Sequence, residues 1–313
     1  MWPLSSLRTR PVARPDFPLT FPEFARRFPD DEACWHYLVQ SRWPEGVFCA
    51  DGNPAWLNAK RKLFECKEGH QWSVTSGTVM HRSKVALHIW FWAAHLVTTQ
   101  VPGMSAKQFA RQLGLRYETA YMLLQKLRAG MVNPERGKLR GMVEMDEAFV
   151  SGGREAEGAK DVKAVVLAAV EKIGKRAGRV RLRVAPSNRT QDIVRFLRAY
   201  VEEGTVVKTD GNVAYKRIED FGYHHVVEEM DVDYRLPHIH RVFSNLKTWL
   251  QGTHHGVSHK HLQAYLNEYA FRFNRRKTPM AAFQTVLGLG TQVEGPTYEG
   301  IYQGTWVHPN PKY

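Results

Sequence analysis

GMVEMDEAFV (141–150), KAVVLAAVEK (163–172) and RVRLRVAP (179–186) decide how this chain folds. All three are short, rich in Val, Leu and Ala, and bounded by turn residues, the pattern of β-strands. A Gly-rich SGGREAEG joins the first two and a short basic turn joins the second to the third. From Thr190 to Glu203 the period changes: Ile193, Phe196, Leu197 and Tyr200 fall at i, i+3, i+4 and i+7, one stripe of a helix. Thr190 or Asn188 stands where an N-cap belongs, and Gly204 ends the run. TVVKTD (205–210) reads as a buried strand and HHVVEE (224–229) as a shorter one. A last helix starts at Ser258, carries Leu262, Tyr265, Leu266, Tyr269 and Phe273 on one face, and runs into RFNRRK.

Three strands, a helix, a strand and then helices is the order of an RNase H-like α/β domain. In that sheet the first and fourth strands are neighbours. Asp146, in the first strand, and Asp210, ending the fourth, are therefore expected side by side. A lone buried carboxylate is costly, so an aspartate ending an apolar strand is a poor core residue. Two adjacent carboxylates need a cation between them. Mg²⁺ and Mn²⁺ take oxygen ligands, and a pair of such ions serves phosphoryl transfer. The competing reading is a pair of solvated turn aspartates, with Asp210-Gly211-Asn212 as a simple turn signal. Glu147, on the opposite strand face from Asp146, reads as structural.

The N-terminal part differs in character. Residues 1–140 hold 20 Lys+Arg against 11 Asp+Glu, whereas residues 141–257 hold 18 against 17. The net charge of +13 and pI near 9.7 thus come mainly from the front. A basic front on a nearly neutral core suits a grip for a polyanion joined to a site that needs carboxylates. A fragment ending near Arg140 is accordingly expected to bind DNA alone. Three cysteines, an odd number, argue against a disulfide framework and for a reducing compartment. No apolar run is long enough to span a bilayer, and the N-terminus has no secretory signal, so a cytoplasmic protein without membrane contact is expected.

Two local patterns lie within that front. Cys49-Ala-Asp-Gly52 and Cys66-Lys-Glu-Gly-His70 look like a zinc ribbon whose two Cys-x-x-Cys knuckles have each lost the second cysteine to glycine. Cys49, Cys66 and His70 supply three candidate Zn²⁺ ligands, with Asp51 or Cys34 as a fourth; the alternative is a ribbon fold kept without zinc. Further on, Ser105 caps SAKQFARQLG, Gly114 ends it, and Tyr117–Arg128 forms a second helix, a helix-turn-helix pattern. Ala120, Leu123, Leu124 and Leu127 are expected inward. Arg116, Tyr117, Gln125, Lys126 and Arg128 are expected outward, where the second helix of such a motif meets DNA. An ordinary helical hairpin is the competing reading.

MDEAFVSGG, TDGNVAY and above all HIHRVFSNLKTWLQGTHHGVSHKHLQAYLNEYAFRFNRR (238–276) resemble the DDE-type insertion-sequence transposases of the ISXO-like kind. SVTSGTVMHRSKVALHIWFWAAHL and GMSAKQFARQLGLRYETAYMLLQKLR resemble the same proteins, so the likeness covers roughly residues 30–277. In that family the third acid precedes a lysine by seven residues, and a Gly-Thr-(Tyr/His)-His stretch follows. Lys247 and Gly252-Thr253-His254-His255 occupy those places, which assigns the third position to His240. The resemblance implies a catalytic set of Asp146, Asp210, His240 and Lys247, with Mg²⁺ or Mn²⁺ on the first three. The departure is His240 itself, which stands where most members have glutamate. Imidazole still ligates divalent metals, Mn²⁺ better than Mg²⁺. Asn245, with its amide oxygen, is the competing third ligand. Lys247, two helical turns beyond His240, would hold a substrate phosphate.

The resemblance further implies an enzyme that binds the terminal inverted repeats of its element, cuts the DNA and joins the end to target DNA. Assembly as a homodimer or higher oligomer on DNA, in a bacterial cytoplasm, goes with it. A nuclease that hydrolyses without joining, and a non-catalytic DNA-binding regulator, are the rival functions. The expected organisation is an arm (1–20), a degenerate zinc-ribbon-like domain (21–80), a helix-turn-helix domain (81–132), a linker (133–140), the RNase H-like catalytic domain (141–277) and a C-terminal tail (278–313).

Overall fold

A computed structural model describes residues 17–133, 135–151, 163–227 and 236–311. Most of the expected N-terminal arm, the SGGREAEG connection apart from Ser151, and the end of HHVVEE lie outside them.

The N-terminal elements are α1 (Phe21–Arg27), α2 (Asp31–Arg42), β1 (Ala55–Asn58), β2 (Leu63–Cys66), β3 (Gln71–Ser73), α3 (Leu87–Thr99), α4 (Ala106–Leu113) and α5 (Tyr117–Gly130). Side-chain caps begin several of these helices: Asp30 accepts from the Ala33 amide at 2.9 Å and Ser105 from the Gln108 amide at 3.3 Å. Gly114 closes α4 in the left-handed region at φ 64°, a conformation that costs glycine little. The three short strands form an antiparallel sheet in the order β1-β2-β3.

The second region holds β4 (Met142–Ser151), β5 (Lys163–Ile173), β6 (Arg176–Ala185), α6 (Thr190–Tyr200), β7 (Val206–Thr209), β8 (His224–Val227), α7 (Pro237–His254) and α8 (His259–Asn274). The chain ends with α9 (Pro279–Gly290) and α10 (Tyr298–Gln303). The five strands line up as β6-β5-β4-β7-β8, antiparallel from β6 to β4 and parallel from β4 to β8. This mixed sheet fits an RNase H-like core, and its first and fourth strands are paired.

Strand alternation sorts the core into two layers. Val166, Ala168 and Val170 of β5 pack with α7 and α8, while Leu167 and Ala169 pack with Ile193, Phe196 and Leu197 of α6. A central strand buried on both faces accounts for the near-continuous apolar run in KAVVLAAVEK. The start of α6 departs from expectation. Neither Asn188 nor Thr190 caps it: the N-cap residue is Arg189, without a side-chain bond, and the Thr190 hydroxyl donates to the Ala214 carbonyl at 3.0 Å.

The N-terminal region is one core and not two. Phe24, Trp35 and Phe64 share a single apolar cluster with Trp90, Phe91, Phe109 and Leu124. The segment expected as a tail completes that cluster, because α9 inserts Ala282, Phe283, Val286 and Leu287. The Phe283 ring packs at centroid distances of 5.2, 5.7 and 5.9 Å from Phe24, Phe28 and Phe91. Helix α5 is consequently covered on more than one side, by α4, α8 and α9.

That cover corrects the expected outer face of α5. Gln125 is 4% exposed and Arg128 1% exposed. Arg128 donates through Nε to Glu268 at 2.8 Å and lies 3.8 Å from the Tyr265 ring centroid, joining α5 to α8. Neither residue offers its side chain to a ligand in solution. The sequence misleads here because the partners of α5 lie 140 residues further on.

Phe283→Ala is therefore expected to destabilise the protein by about 3–5 kcal/mol, the usual cost of removing a buried phenyl group. Chemical denaturation measures it. A loss below about 1 kcal/mol would show that α9 is a dispensable tail.

Candidate active site

β4 carries acids on both of its faces. Glu144 and Asp146 share the face that packs against α7, and Glu147 points to the α6 face. The last registered pair between β4 and β7 is Glu144 with Lys208, so two residues further along each strand Asp146 and Asp210 stand level. The ladder of β7 ends at Thr209, and Asp210 begins an exposed loop. Its Oδ1 accepts from the Asn212 amide at 3.1 Å, an Asx turn. Gly211 sits at φ 84°, where a Cβ atom would come within 2.7 Å of Val227. A side chain at that position would be strained by the positive φ and would press on Val227.

Glu144 fixes the other wall. It is 1% exposed, and its Oε2 accepts from the amides of His238 at 2.8 Å and Ile239 at 3.1 Å. These are N–H groups of the first turn of α7, which no helical carbonyl can satisfy, at the end of the helix dipole that favours negative charge. The N-cap residue Leu236 has no side chain for this purpose, and Pro237 has no N–H that needs an acceptor. A strand side chain thus does the work of a cap. Nothing in the local sequence of α7 signals it; the signal is an acid two residues before Asp146, on the same strand face.

With α7 pinned there, His240 Nε2 lies 3.5 Å from Asp146 Oδ2. The other oxygen of Asp146 accepts from the Glu147 amide at 2.8 Å. The Asp146 side chain is 16% exposed and that of His240 53%. Lys247 is on the same helical face as His240. Asn245 lies five residues on, about 140° further round the helix. Burial, with the Glu147 and Asp210 charges added, pushes the Asp146 carboxyl up to about 7 against the opposing pull of the Glu147 amide and, less, of Lys247. Carboxylates that resist joint ionisation form a donor set that fits a hard divalent cation.

Glu147 holds the opposite face. Its Oε1 accepts from Asn188 Nδ2 at 3.1 Å and Asn212 Nδ2 at 3.2 Å, and its Oε2 from the Tyr215 hydroxyl at 2.5 Å.

A second cluster lies in the N-terminal sheet. Ligand atoms of Cys49, Cys66 and His70 all fall within 4.8 Å of one another. Cys66 Sγ is 3.6 Å from His70 Nδ1, and Asp51 Oδ2 is 3.6 Å from His70 Nδ1 and 4.0 Å from Cys49 Sγ. The two turns are alike: the Gly52 amide donates to the Cys49 carbonyl at 3.0 Å and the Gly69 amide to the Cys66 carbonyl at 2.9 Å. Cys34 takes no part. It is wholly buried in the helical core, and that burial pushes its thiol up to about 12.

Of the residues expected to face DNA, Arg116 and Tyr117 are exposed at the start of α5. Lys126 is half-buried and donates to the His81 carbonyl at 2.7 Å. Lys107 and Arg111 of α4, which the sequence reading passed over, are exposed too.

Residues 138–274 match the family model of the ISXO2-like transposase domain. That match supports a transposase domain of the DDE type found in insertion sequences for this part of the chain. The matched segment of the transposase domain starts just before β4 and closes with α8, so it contains the whole five-stranded sheet and the helices on both faces. No curated protein matches the chain. No helix among the described residues is long and apolar enough to cross a membrane.

The raised Asp146 carboxyl has a consequence for stability. The folded chain keeps this proton to a higher pH than the unfolded chain does. The stability it contributes is present below the ordinary value of 3.8 and is lost as pH rises through about 7. In the presence of a chelator, Asp146→Asn should therefore gain stability relative to the unsubstituted chain between pH 4 and pH 8. Denaturant midpoints across that range measure it, and a difference that does not change with pH would contradict the placement of this side chain.

Proposed function

We propose that the chain binds the terminal inverted repeats of an insertion sequence and catalyses divalent-metal-dependent DNA cleavage and strand transfer. What supports this reading most is His240 Nε2 3.5 Å from Asp146, with Asp210 level with Asp146 across the β4–β7 pair and Lys247 on the His240 face of α7, all in the segment that matches a transposase domain. Asp146, Asp210 and neutral His240 would hold the metal. A pair of Mg²⁺ or Mn²⁺ ions, when bound, supplies activation of the attacking oxygen and charge stabilisation at the leaving oxygen. Asp146 would contribute carboxylate oxygens from β4 and Asp210 from the loop that follows the adjacent strand β7. His240 contributes Nε2 from α7. Lys247 places a positive charge beside the scissile phosphate, where negative charge builds during the displacement.

The helix pair α4–α5 reads as the helix-turn-helix grip. In that motif the N-terminal residues of the second helix meet base edges. Arg116 and Tyr117 occupy those positions, and Lys107 and Arg111 of α4 face the backbone phosphates. Double-stranded DNA, both element ends and target, is the partner, and a homodimer or higher oligomer on DNA is the working assembly. Cys49, Cys66 and His70, with Asp51 completing the set, form a site for structural Zn²⁺. What supports the site is that the ligand atoms of Cys49, Cys66 and His70 lie within 4.8 Å of one another, with Asp51 Oδ2 3.6 Å from His70 Nδ1 and 4.0 Å from Cys49 Sγ.

Cleavage and joining of end-containing DNA by the purified chain tests this. Asp146→Asn and Asp210→Asn should lower cleavage by roughly a hundredfold or more while leaving gel-shift affinity intact. His240→Ala should be severely impaired, His240→Glu should keep part of the activity, and Asn245→Ala should be mild. Hydrolysis without joining would identify a nuclease instead, and near-normal cleavage by either aspartate variant would exclude the two-aspartate site. Zinc is checked separately by elemental analysis: about one Zn²⁺ per chain is expected, falling in Cys66→Ser.

A further inference from the structure

β7 is four residues long, and its ladder with β4 stops before Asp210 is reached. The sheet alone therefore does not fix the distance between Asp210 and Asp146. Beyond Thr209 the chain turns through Gly211 and Asn212 into the 3₁₀ turn Val213–Tyr215. Glu147 is where this segment is tied back to β4. Its carboxylate takes donors from the lead-in to α6 (Asn188), from the loop after β7 (Asn212) and from the buried 3₁₀ turn (Tyr215).

Asn212 links the clamp directly to Asp210. Its side-chain amide nitrogen bonds Glu147, its backbone amide bonds Asp210 Oδ1 at 3.1 Å, and its side-chain oxygen accepts from the Ala214 amide at 3.0 Å. Tyr215 is 0% exposed, so its hydroxyl has no water to turn to if Glu147 is removed. Thr190 adds a further tie, donating to the Ala214 carbonyl. Both oxygens of Glu147 are engaged on the α6 face, away from the His240 side of Asp146.

We propose that Glu147 is a positioning residue that clamps the Asp210 loop to β4 and so sets the Asp146–Asp210 spacing for a divalent cation. The proposal rests on the reading of these two aspartates as cation ligands. Its structural half stands without that reading, because the clamp holds the loop whether or not a cation is bound. Hydrogen bonds that orient metal ligands typically change metal affinity by 10–100-fold when removed.

Two readouts on the full-length chain separate the possibilities. The first is hydrogen exchange of residues 210–216, which needs no metal. Glu147→Ala should speed exchange there by at least tenfold while the amides of β5 are unchanged; unchanged exchange in 210–216 would overturn the clamp. The second is Mn²⁺ binding followed by electron paramagnetic resonance of the free ion. Glu147→Ala should weaken it 10–100-fold, Glu147→Gln should recover part of the loss through its remaining carbonyl oxygen, and Tyr215→Phe should weaken it a few-fold. Faster loop exchange with unaltered Mn²⁺ binding would overturn the positioning role. Should Glu147→Ala not fold, Tyr215→Phe decides: unaltered loop exchange and Mn²⁺ binding in that variant would overturn the proposal. Asp210→Asn serves as the separate control. If the unsubstituted chain binds no Mn²⁺, or Asp210→Asn binds it equally well, the cation site itself fails, and the proposal with it.

Discussion

The bond from Glu144 to the first turn of α7 is the constraint on which the candidate site depends. A buried carboxylate is expensive unless donors meet it, and a helix N-terminus has donors that need an acceptor. Each group answers the need of the other, and the geometry of that pairing fixes where α7 starts. His240 is one turn along and Lys247 is two further turns, so both inherit their positions from Glu144. Asp146 is two residues beyond Glu144 on the same strand face and needs no separate device to meet them. Glu147, on the reverse face, reaches the loop that holds Asp210. Three acids within four residues of β4 thus face the helix, the site and the loop in turn.

The same strand explains why the site was partly legible in the sequence and partly not. The strands, α6 and the adjacency of β4 and β7 follow from apolar periodicity and from the order of elements, both of which are local signals. Asp146 and Asp210 followed because each ends or interrupts an apolar run. His240 was reached through its spacing from Lys247, a family likeness and not a physical pattern. Glu144 escaped notice because its partners are backbone amides 94 and 95 residues away. Glu147 was set aside as structural, and its three donors come from segments that are separate in sequence. Cap residues misled at α6: Asn188 and Thr190 have the right chemistry for a cap, but the N-cap position falls on Arg189 between them, and their side chains donate to Glu147 and to the Ala214 carbonyl.

Long-range packing also redraws the boundary between the N-terminal region and the transposase domain. The buried Arg128–Glu268 pair and the Tyr265 ring tie α5 to α8, and α9 returns from the far end of the chain to fill the N-terminal core. Removing either partner of a charge pair this deep would leave the other buried and uncompensated, so the two regions are coupled through it. Helix α5 is therefore packed against α8, a helix that covers the five-stranded sheet. The basic character of residues 1–140 was legible from composition. That these residues cannot complete their core without α9 was not, which counts against a self-sufficient fragment ending near Arg140.

On the proposed reading, β4, the loop after β7 and α7 build one cation site from Asp146, Asp210 and His240. Anomalous diffraction from crystals of the full chain soaked in Mn²⁺ tests it most directly. The account predicts a Mn²⁺ peak within coordination distance of Asp146 and Asp210, with His240 Nε2 turned toward it and Glu144 still bonded to the start of α7. A peak held by other side chains, or none beside Asp146 at saturating Mn²⁺, would contradict it.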